Sequence, residues 1–304
     1  MLDLLFDASF AASVPRFVTP ILLAALGGAL CERAGVFNIA LEGFMLAGAF
    51  SAVVGSYFLG SAAAGALAAI VGGILMGLVF AEFNLRRGGD PIVVSIAINL
   101  LASGLTTFLL RAVFHATGVF SNPAIVGFHG IAIPGLGALP GLGPLSSGQS
   151  VLYYIALLSV PALSLLFARH RLGLRLRAAG ENPAALTAGG VDPRRVQLYA
   201  LIGCGAFCGL AGAQLSIANV SLFVQDMSAG RGWIAVVAVL LSRGRPWPLF
   251  LIAVVFGVVD SLSFRVQGLG LPQQFTEMMP YLTTLAVLVL LSNWPRRKEA
   301  GGGS

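Results

Sequence analysis

The sequence predicts an all-α polytopic membrane protein of about nine transmembrane helices, amino end outside and carboxyl end cytoplasmic. Three observations carry this. Of 304 residues, 57% are apolar and 10% charged, where a soluble domain has about a quarter charged. The apolar residues fall in runs near the length of about 20 that crosses a hydrocarbon layer. The basic residues stand between those runs with a strong bias to one side. The net charge of +6 therefore orients the chain and is no footprint of nucleic-acid binding.

Taken in order, the expected spans are 10–30, 36–59, 61–83, 91–113, 150–168, 196–218, a short run at 233–242, 248–264 and 278–294. Asp3 and Asp7 stand where a secretory signal would be basic, and the first run outlasts a signal peptide, so it is read as a retained span. The third and sixth spans carry GxxxG spacings, Gly73/Gly77 and Gly205/Gly209, which permit close helix approach. In the fourth, Ser95, Asn99, Ser103 and Thr106 recur on one side, as a cavity wall or an interhelical seam. The Pro- and Gly-rich loop 115–149 is external, an ordered cover or a flexible connection, and its histidines His115 and His129 receive no role. The tail 295–304 is expected to be disordered, and the whole chain, 1–304, to be one transmembrane domain. With the carboxyl end inside, fourteen of the 18 basic residues are cytoplasmic; Arg16, Arg111, Arg231 and Arg265 are not. The bias favours an odd count, which depends on the short seventh run.

Between spans five and six lies the segment 169–195, RHRLGLRLRAAGENPAALTAGGVDPRR, which holds six basic residues. Local signals predict a helix from Pro183 to Ala188: Asn182 as cap, Pro183 at the first position, and Gly189 and Gly190 to turn the chain left-handed. So short a helix needs support from neighbours or a partner.

An ionisable group at mid-bilayer costs about 2.5–3.5 kcal/mol on insertion scales, so each one present requires a reason. Asn38 and Glu42, four apart, are expected to share a helix face, with the Asn38 amide donating to the Glu42 carboxylate. Glu42 is otherwise protonated or bonded to backbone donors. Asp260 lies late in the eighth span beside Ser261 and Ser263. These groups form a polar pathway or a structural network between helices. Asn38, Asn99 and Gln214 suit the hydroxyls of a polar solute, and Phe37, Phe44, Phe207 and Phe223 could offer faces to a flat ring.

No GxxxxGK[ST] phosphate loop is present, and no histidine stands in a span to serve a nucleophile. Cys31, Cys204 and Cys208 lack metal-ligand spacing and read as small buried hydrophobes. The chain is read as a non-enzyme with no metal and no cofactor of its own.

Three stretches, CERAGVFNIALEGFMLAGAF at 31–50, AAGENPAALTAGGV at 178–191 and GRGWIAVVAVLLSRGRP at 230–246, resemble the permease subunits of ATP-binding cassette importers. The likeness is to the branched-chain amino acid, ribose and nucleoside family, within it to nucleoside or simple-sugar importers with a lipoprotein receptor. It implies a plasma (inner) membrane protein that forms the pathway for a nucleoside or related small polar solute, and the polar residues Asn38, Glu42, Asn99, Gln214 and Asp260 are the groups expected to line it. It also implies a coupling helix seated on a separate ATPase, with Gly180, Glu181, Asn182 and Pro183 in the motif and Leu186 as the apolar contact. The implied partners are that ATPase, which binds ATP, an external lipoprotein and a second permease, with a heterodimer favoured over a homodimer. The alternatives are an ion-coupled secondary transporter using Glu42 or Asp260, or a sugar or branched-chain amino acid permease of the same family.

Overall fold

In the computed structural model, residues 8–131, 148–267 and Leu282 are described. The first helix, α1 (Ala8–Arg33), is the axis of the bundle: Ile21, Leu23, Ala24, Ala25 and Leu26 have no exposed surface. It keeps helical form through Pro15 and Pro20, and the Thr19 hydroxyl donates back to the Pro15 carbonyl. Around it stand α2 (Leu41–Leu59), α3 (Ala62–Ala81), α4 (Pro91–Phe114), α5 (Val151–Arg169), α8 (Pro193–Ala213) and α10 (Pro246–Gln267). Both α3 and α8 continue into a π-helical turn, Glu82–Arg86 and Gln214–Ala218. At the Arg33 end, α6 (Arg171–Glu181) and α7 (Pro183–Ala188) link α5 to α8. At the other end, β1 (Val119–Ser121) pairs antiparallel with β2 (Leu222–Val224). The last named element, α9 (Arg231–Ser242), follows β2.

The glycine spacings meet each other. A Cβ at Gly73 would strike the carbonyl of Gly205, one at Gly209 would strike Ala69, and one at Gly77 would lie 2.7 Å from the Leu201 carbonyl, so α3 and α8 pack backbone to backbone. The described part of the loop 115–149 is tied to the bundle: the Ser56 hydroxyl donates to Val126 (2.7 Å) and the Phe128 amide to Ile217 (2.9 Å).

Seven helices among the described residues are long and apolar enough to span. The expected count of nine differs at two places. Residues 278–294 lie outside the described residues, apart from Leu282, as does the tail 295–304. The seventh run forms a helix of only 12 residues. Its shortness has a local cause, since Ser221, Asp226, Ala229 and Gly230 all take positive φ and hold the preceding backbone out of helical form. The segment nevertheless runs from the β2 end of the bundle to the Arg33 end, where the Arg33 Nε donates to the Gly244 carbonyl (3.1 Å).

Candidate functional site

The second span does not begin at Val36. Residues 34–40 run in non-helical backbone before α2 starts at Leu41. Polar side chains from a distant helix hold that backbone. Ser95 of α4 accepts from the Ile39 amide (3.1 Å), while Asn99 donates to the Ile39 carbonyl (3.2 Å) and accepts from the Gly43 amide (2.8 Å). No side chain of α2 caps its own first turn, so Asn99 does so across the interface. The stripe on α4 is thus an interhelical seam, continued by Ser103, which donates to Asp226 (2.6 Å), and ended by Thr106, which bonds back to Ala102.

Asn38 and Glu42 are not partners. Four residues bring side chains together only on a helix, and Asn38 precedes this one. The Asn38 carbonyl oxygen accepts from the Ala40 amide (2.8 Å), and its amide nitrogen points at Cys204 Sγ (3.6 Å) and Cys31 Sγ (3.9 Å). Glu42 accepts instead from the backbone amides of Gly230 (2.9 Å) and Gly232 (2.7 Å). A carboxylate thereby occupies the N-terminus of α9, where free N–H groups and the helix dipole both favour negative charge. Gly232 permits the approach, since a Cβ there would lie 2.5 Å from Glu42 Cα and 2.5 Å from its amide nitrogen.

Beside this junction the Arg231 Nε lies 3.1 Å from Asp260 Oδ2, with side chains 20% and 16% exposed. The pair sits deep. Arg231 lies over the Phe17 ring (6.0 Å), and Gly257 packs on Val18, both within about 6 Å of the middle of α1 at 1.5 Å per residue. Gln214 is buried, accepting from Ser150 (2.7 Å) and donating to Asn219 (2.9 Å). The five polar candidates therefore do not converge on one point. Asn99 and Asn38 order the break before α2, Glu42 caps α9, Asp260 pairs with Arg231, and Gln214 ties the end of α8 to the start of α5.

Two stretches of non-helical backbone, 37–40 and 225–230, flank the Glu42 junction. Phe37 and Trp233 are 40% and 41% exposed there. Phe37 borders a small recess with Val236 and Leu240, which share a stripe of α9 with Trp233, and Asp226 is exposed beside Ser103. Of the rings proposed to face a solute, Phe44 and Phe223 are fully buried and excluded, whereas Phe37 is available. Trp233 and Asp226 were not among the residues singled out from sequence; the positive-φ run that presents them has only its Gly230 as a written signal.

At the Arg33 end, Asn182 accepts from the Ala185 amide (3.0 Å) and Pro183 opens α7, as its composition predicts. The turn at its end uses one glycine, Gly190 (φ +75), while Gly189 stays at φ −79. Leu186 is buried against the chain's own core, so it seats α7 and is no outward contact; Glu181, Asn182, Pro183, Ala184, Ala185, Thr187 and Ala188 are exposed. Sequence reasoning missed α6. Its signal lay in Leu172, Leu176 and Ala179 at helical spacing among arginines, with Leu176 and Ala179 buried. Gly180 packs on the chain turn at Gly35, where a Cβ at Gly180 would lie 2.6 Å from the Arg33 carbonyl. The three similar stretches are thus one joint: 31–50 touches 178–191 at Gly35/Gly180, and 230–246 at Glu42/Gly232 and Arg33/Gly244.

Comparison with known proteins places these features. Residues 10–288 match the family model described as branched-chain amino acid transport system / permease component. A protein of Haloferax volcanii, provisionally named a glucose ABC transporter permease protein, is 33% identical over 93% of this chain and 91% of its own length. The guanosine ABC transporter permease protein of Bacillus subtilis is 31% identical, covering 90% and 88%. A nucleoside ABC transporter permease protein of Lactococcus lactis is 32% identical, covering 92% and 90%. A solved inward-facing ABC transporter, provisionally assigned to the metal-chelate type, superposes with a TM-score of 0.55 at 16% identity over 95% of this chain and 88% of that one, a likeness of fold.

Proposed function

The chain belongs to the family of branched-chain amino acid transport system permease components, and on that footing we propose that it forms the translocation pathway for a nucleoside in an ATP-driven importer. It is a permease subunit of an ABC transporter, a multi-pass protein of the bacterial inner membrane, and it is not itself an enzyme. The reading of the pathway rests on one observation. Non-helical backbone at membrane depth is tolerated only where it is buried in protein or lines a water-filled cavity. The exposed parts of 37–40 and 225–230, Phe37 and residues 225, 226 and 229, therefore face the pathway rather than lipid, beside Trp233 and Ser103. Ring faces suit a nucleobase, and the carboxylate and hydroxyl suit ribose.

In this proposal the chain crosses nine times, amino end outside and carboxyl end cytoplasmic, with 219–243 counted as a broken crossing. The segment 169–195 rests on a separate ATPase, which binds the ATP, and the chain needs no cofactor of its own. An external binding lipoprotein delivers solute. A second, unlike permease completes the pathway; two nucleoside ABC transporter permease proteins of Lactococcus lactis, 32% and 23% identical to this chain, support such a pair. A sugar is the second reading, favoured by the Haloferax relative.

Cysteine placed at Trp233 or Asp226 tests the pathway, because the native Cys31, Cys204 and Cys208 are buried. A water-soluble maleimide should label both positions in the assembled transporter, with guanosine protecting and glucose not. Protection by glucose alone would select the sugar reading, and no labelling at either position would refute the pathway.

A further inference from the structure

Three arginines from separate parts of the chain line one recess at the Arg33 end. Arg33 closes α1, Arg177 stands in α6 and Arg245 precedes α10; with Ser164, Phe167 and Trp247 they border about 420 Å³. The recess carries excess positive charge. Among the described residues, neither Arg33 nor Arg245 has a carboxylate within 4 Å, and Arg177 only reaches Glu181 at 4.0 Å through exposed side chains. Arg177 Nε is buried with no hydrogen-bond partner. Guanidinium groups gathered this way repel one another until an anion is shared, and their planar forks match phosphate oxygens.

The location says which anion. Trp247 is the second residue of α10 and is exposed; Phe167 is in the last turn of α5, with Arg33 5.8 Å over its ring. These are helix ends, at the level where aromatic belts and lipid head groups lie. One turn deeper on the Trp247 face, Leu251 is exposed, so the recess opens toward acyl chains and not only toward water. We propose that this recess binds the head group of an anionic phospholipid, with Arg33, Arg177 and Arg245 on the phosphate and Trp247 beside the glycerol. Because Arg33 also packs on Gly180 and Arg177 belongs to the helix that leads into α7, an occupied recess fixes the segment that carries the ATPase contact.

Trp247 is a built-in reporter. In the assembled transporter with Trp233→Phe and Trp294→Phe, reconstituted in phosphatidylcholine nanodiscs, its fluorescence is titrated with phosphatidylglycerol or phosphatidylcholine brominated on the chains. Half-quenching should need on the order of ten-fold less of the anionic lipid, and Arg177→Gln/Arg245→Gln should bring the two lipids within about two-fold. This comparison of lipids is made within one protein and does not depend on the arginine variant folding. Equal quenching by both lipids would overturn the proposal. So would a preference seen in the permease without its ATPase but absent from the assembled transporter, which would give the recess to the ATPase interface.

Discussion

Glu42 at the start of α2 caps Gly232 at the start of α9, with Oε2 2.7 Å from the amide nitrogen and Oε1 2.9 Å from that of Gly230. Two helix N-termini meet at membrane depth, and one carboxylate serves the second of them. The charge at Glu42 thus has a structural reason. Glu42→Gln keeps one acceptor and should lose part of the stability, whereas Glu42→Leu strands both amides at about 1–3 kcal/mol each. Thermal unfolding in detergent should rank wild type above Gln above Leu. Equal Gln and Leu unfolding temperatures with uptake abolished in both would show that the charge acts in transport instead.

Gly232 should tolerate no side chain. Backbone lies on the far side of the clash at 2.5 Å, so no rotamer change relieves it. Gly232→Ala should cut folded yield severally, while Gly104→Ala, whose Cβ would meet nothing within 4 Å, should leave it unchanged. Size-exclusion chromatography of the two variants makes the comparison; equal monodisperse yields would contradict the packing at this joint.

Much of this was legible in the sequence. Apolar length marked the long spans, the GxxxG spacings marked the α3/α8 contact, and Asn182–Pro183 marked α7, because each signal is local. The break at 34–40 was not, since its hydrophobic run reads as continuous and the groups that interrupt it, Ser95 and Asn99, lie over 50 residues away in sequence. The expected Asn38–Glu42 pair failed for that reason. Leu186 was placed outward because its own short helix shows only that it is apolar; the core that buries it comes from other elements.

The Arg231–Asp260 pair separates an ion-coupled carrier from a structural bridge. Removing one partner leaves the other uncompensated at membrane depth, which costs more than removing both. Asp260→Asn and Arg231→Gln should each lower the unfolding temperature, and the double variant should recover at least half of the loss. Asp260→Asn with normal stability and no uptake, alone or in the double variant, would make the carboxylate a proton carrier.

On α7 the outward side chains make the better test of docking. Ala184→Arg should preserve fold and membrane abundance, because Ala184 is exposed, yet reduce co-purification of the ATPase about ten-fold, on the order of 1.4 kcal/mol. Asn182→Ala should fall between, since losing the cap costs about 1 kcal/mol and a docked partner can still impose the helix. Leu186→Asp should fail earlier, in folding. Normal ATPase recovery with Ala184→Arg would return this segment to an ordinary loop.

ATP hydrolysis on a separate subunit is expected to drive solute through this chain. Guanosine uptake tests this most directly, in proteoliposomes holding the assembled transporter, with binding protein and ATP supplied on their proper sides and the proton gradient collapsed by an uncoupler. Uptake should continue unchanged and should stop when the ATPase is inactivated. Uptake that follows the gradient and ignores loss of the ATPase would contradict the account.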